Sequence, residues 1–113
     1  PFVLAKIGVS NARALFLTGE RFGAQRAYSI GLVHEVATVA ALDAAVDRVL
    51  GELRTAGPSA VAAAKRLVPA VTAASYDESK LLTAQAIAKQ RVTPEGQEGL
   101  RAFLERRPAG FAQ

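Results

Sequence analysis

The chain has 113 residues, half of them hydrophobic, with aromatics at only 6% and no cysteine. That length holds one domain's worth of core, packed through Ala, Leu and Val, and the missing thiols exclude disulfides and thiolate metal sites. The net charge is +4 and the pI close to 10.0; the basic residues are scattered among acidic ones without interleaved aromatics, which speaks against nucleic acid as a partner.

Taken in chain order, residues 2–7 read as a short helix closed by Gly8. This opening stretch has neither the basic region nor the long apolar run of a signal peptide, and no starting Met. Ser10 is placed to cap a second helix through Ala12, Arg13, Leu15 and Phe16, closed at Gly19. Residues 24–30 form a helical turn stopped by Gly31. Residues 32–36, LVHEV, alternate and carry two valines, which predicts a short strand or extended segment.

Three longer helices follow. Ala41, Leu42, Ala45, Val46, Val49, Leu50 and Leu53 recur at spacings of three and four, which makes one apolar stripe. Gly57 ends that helix and Pro58 opens the next, where a first-turn proline is tolerated. Pro69 is expected to kink or end it, because proline lacks the backbone donor and crowds the preceding turn. The third starts near Ser75 or Asp77 and runs to about Val92. Thr93, Pro94 and Glu95 then open a last helix with a cap, a first-turn proline and an acid at the positive end. It is expected to stop at Arg107 and Pro108, with residues 109–113 loose unless Phe111 docks. No apolar run approaches the roughly 20 residues a membrane span needs.

Few residues suggest chemistry. His34 is the only histidine, and no serine elbow accompanies it, so a structural role outweighs a general base. Asp43 and Asp47 sit four apart on a solvated helix face. Glu95 and Glu98 lie three apart near a helix start, where the dipole already accounts for Glu95, and Asp77 with Glu78 at another helix start has the same explanation. Gly19, Gly23 and Gly31 fit no phosphate-loop pattern and serve turns and caps. Lys65 and Arg66 lie on a helix from which they could reach an anion, but a solvent-facing pair is the better reading. Arg106 and Arg107 are more evenly balanced. They can complement the negative end of the last helix or hold a phosphate in arginine's planar fork.

These residues also carry a resemblance. Leu17-Thr18-Gly19-Glu20-Arg21-Phe22, Ala24, Ala27 and Ile30-Gly31-Leu32-Val33 resemble the joint of the enoyl-CoA hydratase/isomerase (crotonase) family. Gly57-Pro58, Ala60 and Ala64-Lys65 are similar to that family's next motif. Glu98-Gly99-Leu100-Arg101-Ala102-Phe103-Leu104-Glu105-Arg106-Arg107-Pro108 is similar to its closing helix. Order and spacing agree over essentially the whole chain. Gly23, where relatives often have Asp or Ser, and Pro69, where many stay helical, depart from the pattern.

The resemblance implies a mainly α fold: the C-terminal helical, trimerising region of a crotonase-type ββα spiral, with the spiral core absent from these residues. Residues 1–36 would be the end of the core with its connecting elements, and residues 37–113 the oligomerisation region that lines the CoA site. It implies part of an acyl-CoA lyase, an enoyl-CoA hydratase of fatty acid metabolism. The alternatives are isomerase, methylglutaconyl-CoA hydratase or acyl-CoA hydrolase activity, or a helical interaction module without catalysis. The family's oxyanion amides and glutamates belong to the core, so no catalytic residue falls in this chain and the segment alone is expected to be inactive. Arg106, with Arg107 behind it, would meet the CoA phosphates, Phe103 would pack near CoA, and Ile87 would form an apolar wall. CoA enters as part of the thioester substrate; no other cofactor and no metal are implied. The expected partners are the acyl-CoA, the spiral core and further copies in a trimer or hexamer, with neither nucleic acid nor membrane, in the cytoplasm.

Overall fold

Glycine and proline mark where helices stop, and the helices lie between them. The computed structural model describes residues 1–112. Its helices are α1 (Phe2–Thr18), α2 (Ala24–Ser29), α3 (Leu42–Thr55), α4 (Pro58–Ala73), α5 (Tyr76–Arg91) and α6 (Pro94–Leu104), with a 3₁₀ turn at Val39–Ala41 before α3. No strand forms among the described residues. The chain divides into two compact units, residues 1–45 and residue 46 onward.

In the first unit, α1 breaks at Gly8, whose φ of 72° and ψ of 168° interrupt the helical backbone. The break is a single residue wide, so Ser10 lies inside the helix and its side chain makes no cap. Ile7, Ala12 and Leu15 of α1 close a small core with Ile30, and Leu32 packs against it. Full burial of side chains such as Ile7 and Leu15 stabilises by about 1.5–3 kcal/mol each. Leu32 reaches this core because α2 ends in a paired closing turn. The Gly31 N–H donates to the Tyr28 carbonyl at 3.1 Å and the Leu32 N–H to the Ala27 carbonyl at 2.9 Å. Gly31 itself adopts φ 77°, the left-handed position this closure requires. Of the short strand or extended segment expected at residues 32–36, the strand does not form, and the backbone there is irregular. A lone segment has no ladder partner, and its first amides are spent on the end of α2.

In the second unit α4 runs along α5, and α6 packs against both. Ser75 caps α5 in a reciprocal box. The Glu78 N–H donates to the Ser75 hydroxyl, and the Ser75 N–H donates to the Glu78 carboxylate. Thr93 caps α6 by accepting from the Gly96 N–H at 2.9 Å. Pro69 does not end α4, which continues to Ala73. The proline forfeits the bond to the Lys65 carbonyl, but Lys65 is exposed, so water can take that group while packing on α5 holds both halves of the helix. α6 stops at Leu104, earlier than expected, because the backbone turns left-handed at Arg106. The tail docks through Phe111, which is half-buried and shares a groove with Leu53, Pro58 and Val61.

Candidate functional site

The residues proposed to bind CoA lie at the end of α6 and on α5. After Leu104 the chain closes as it does after α2. The Arg106 N–H donates to the Phe103 carbonyl at 3.2 Å and the Arg107 N–H to the Ala102 carbonyl at 3.0 Å. The left-handed residue in the middle is here Arg106, with φ 52°, the one non-glycine with positive φ among the described residues. A side chain in that conformation costs about 1–2 kcal/mol.

The two adjacent arginines are used differently. Arg107 grips Glu98 with two prongs, Nη1 to Oε1 at 2.7 Å and Nη2 to Oε2 at 3.2 Å. Its Nε donates to Glu105 Oε2 at 2.6 Å, and its Nη1 also donates to the Pro108 carbonyl at 3.0 Å. The Gly110 N–H donates to the same Glu98 carboxylate at 2.9 Å. Hydrogen bonding from Arg107, then from Gly110, holds the Glu98 carboxyl down from an ordinary 4.5 to about 2. Arg107 is correspondingly pushed above its usual value, first by its bond to Glu98 and then by Glu105. Arg106 has no ion pair among the described residues.

Phe103 is 80% exposed on α6 and Ile87 64% exposed on α5, two of many large apolar groups left open. Ile87 lines an open groove of about 480 Å³ between α4 and α5, together with Ala60, Ala64, Leu67 and Ala84. Phe103, Arg106 and Arg107 are not part of that lining. Phe103, Arg106 and Arg107 thus share one turn at the end of α6, while Ile87 belongs to the groove between α4 and α5.

The other charged residues have structural partners or lie in solvent. Glu95 does more than suit its own helix end: its carboxylate accepts from the Ser59 N–H at 2.9 Å, the Ser59 hydroxyl at 2.7 Å and the Ala60 N–H at 2.9 Å. It therefore caps α4, and the Ser59 hydroxyl leads in holding its pKa below the usual range. Asp77 pairs with Lys80 at 2.7 Å, while Asp43, Asp47, Lys65 and Arg66 are exposed. His34 is exposed beside Tyr28 and Gln25 in a recess of about 350 Å³. Two structural roles were not legible beforehand. Glu98 and Arg107 are nine residues apart, which is no helical spacing, and Glu95 and Ser59 lie 36 apart.

A family model for enoyl-CoA hydratase/isomerase matches residues 1–113. The chain belongs to this family. It is 30% identical over 111 residues to the trans-2-decenoyl-[acyl-carrier-protein] isomerase of Streptococcus mutans, a match that covers 97% of this chain and 42% of that one. It is also 30% identical over 105 residues to the crotonyl-CoA hydratase of Syntrophomonas wolfei, covering 93% and 40%. The solved structure of an enoyl-CoA hydratase/isomerase from Marinobacter aquaeolei superposes with a TM-score of 0.92 at 33% identity, covering 100% of this chain and 43% of that one. The six helices are thus the C-terminal helical region of the crotonase fold. The chain spans about two-fifths of the length of the relatives it matches. No helix among the described residues is long and apolar enough to cross a membrane.

Proposed function

We propose that this chain is the helical part of an acyl-CoA lyase, an enoyl-CoA hydratase that adds water across the 2,3 double bond. The observation that carries this is the family match over residues 1–113, supported by relatives named crotonyl-CoA hydratase and putative enoyl-CoA hydratase. The chain works with a ββα core of the family's kind and with further copies of itself, as a trimer or dimer of trimers in the cytoplasm. The core supplies the groups that polarise the thioester and move protons. This chain supplies binding: Arg106 meets the CoA phosphates, while Phe103 and Ile87 give apolar contact along the cofactor-like arm of the substrate. Arg106 suits the task because it is a permanent cation, a bidentate donor and without an ion pair among the described residues.

Isomerisation is the second reading, favoured by the decenoyl isomerase relative at equal identity. One assay separates them. The polypeptide that joins this chain to its core is given crotonyl-CoA, and separately a 3-enoyl-CoA. Hydration of the first to a 3-hydroxyacyl-CoA is expected. Double-bond migration in the second, without hydration of the first, replaces hydratase by isomerase.

A further inference from the structure

The closing turn of α2 and that of α6 have the same hydrogen bonding but different occupants. Gly31 fills the left-handed position of the first without strain, and Arg106 fills that of the second. A non-glycine residue persists there only when its surroundings fix it. What surrounds Arg106 is a clasp. Glu98, inside α6, holds Arg107 from beyond the turn by two prongs at 2.7 and 3.2 Å. Glu105 holds the same guanidinium at 2.6 Å from the near side, and Glu98 also takes the Gly110 N–H at 2.9 Å. The pair is partly shielded, at 27% exposure for Glu98 and 38% for Arg107. All three guanidinium nitrogens of Arg107 are engaged with carboxylates, whereas Arg106 has no ion pair among the described residues.

We propose that Glu98 and Arg107 are positioning residues, whose two-pronged pair locks the left-handed turn and so presents Arg106 to the phosphates of the CoA thioester. This rests on the acyl-CoA reading above. It divides the arginine pair, with Arg107 as the fixed anchor and Arg106 as the ligand-binding group. A free chain end would let Arg106 leave the strained conformation, and the ordering would then fall on substrate binding.

The test is a comparison of crotonyl-CoA with a crotonyl thioester of pantetheine, which lacks the nucleotide phosphates, in the polypeptide joined to its core. Arg106→Ala is expected to raise KM for crotonyl-CoA roughly tenfold, with kcat nearly unchanged. Glu98→Gln is expected to raise the same KM severalfold, to leave the pantetheine thioester unaffected, and to add nothing in an Arg106→Ala background. Arg107→Lys keeps the charge but not the fork, and is expected to fall between wild type and Glu98→Gln. It also serves should Glu98→Gln fail to fold. If Arg106→Ala raises KM while Glu98→Gln and Arg107→Lys do not, the positioning role is wrong and the acyl-CoA reading stands. A loss in Glu98→Gln that is equal for both thioesters, or additive with Arg106→Ala, also overturns it. An unchanged KM in Arg106→Ala removes phosphate binding and the positioning role together.

Discussion

Gly96 opens α6 against the end of α5, and a Cβ there would overlap the Gln90 carbonyl oxygen and lie 3.2 Å from Arg91 Cα. Those atoms are backbone and cannot swing away. Gly96→Ala is therefore expected to destabilise the protein by about 1–3 kcal/mol, read from a denaturant midpoint. Gly57 is a contrasting case, because a Cβ there meets the Glu95 carboxyl group, its Cδ at 2.7 Å. That side chain can move, so Gly57→Ala should displace the cap on α4 at smaller cost than Gly96→Ala. Glu98 gives a pH prediction. Its folded pKa lies below the ordinary value, about 2 against 4.5, so its stabilising effect is present above pH 4.5 and is lost as pH falls toward 2. Glu78 and Glu95 shift in the same direction. The Gly110 amide, bonded to Glu98, should lose hydrogen-exchange protection, relative to its intrinsic rate, across that window, and Glu98→Gln should remove that pH-dependent loss of protection. Sequence order revealed Arg106 and Arg107 as a pair but not their separate uses, since no local pattern marks an arginine for a left-handed turn.

Among the elements, helix identities and most boundaries were legible because their signals are local: Pro58 and Pro94 at first turns, Ser75 and Thr93 as caps, Gly19 and Gly31 at ends. The misreadings needed information from elsewhere in the chain. Residues 32–36 look like a strand by composition, but a strand exists only with a partner. α4 passes through Pro69 because α5 lies along it, and proline's local rule does not include a neighbour. That continuity makes Pro69→Ala stabilising. Restoring the helical bond and removing the clash gains about 3 kcal/mol, less about 1 kcal/mol for the freer unfolded chain. A net rise of about 2 kcal/mol is expected by denaturant unfolding of the polypeptide that carries this chain, and a fall would show that Pro69 is accommodated by a local distortion. The Phe111 contact was left open by the sequence because its receiving surface is assembled from three separate segments, around Leu53, Pro58 and Gly99.

The molecule as a whole carries more surface than its mass explains. It exposes 9070 Å², whereas two compact bodies of the units' masses, never touching, would expose about 7,100 Å². The excess is more than twice the roughly 800 Å² that one partner buries in a standard protein interface, and Leu53, Val68, Ile87, Leu100 and Phe103 are among the large apolar groups left open. Residues 1–113 alone are expected to self-associate, seen as a sedimentation coefficient that rises with concentration; a sharply melting monomer would contradict this. On the proposed reading, a ββα core would cover this surface and leave Arg106 to meet substrate. The most direct measurement is steady-state hydration of crotonyl-CoA by that joined polypeptide, with and without Arg106→Ala. Hydration by the wild type, with a KM roughly tenfold higher and a kcat nearly unchanged in the variant, is the expected result. No turnover of any enoyl-CoA by a folded wild type, or a KM indifferent to Arg106, would contradict it.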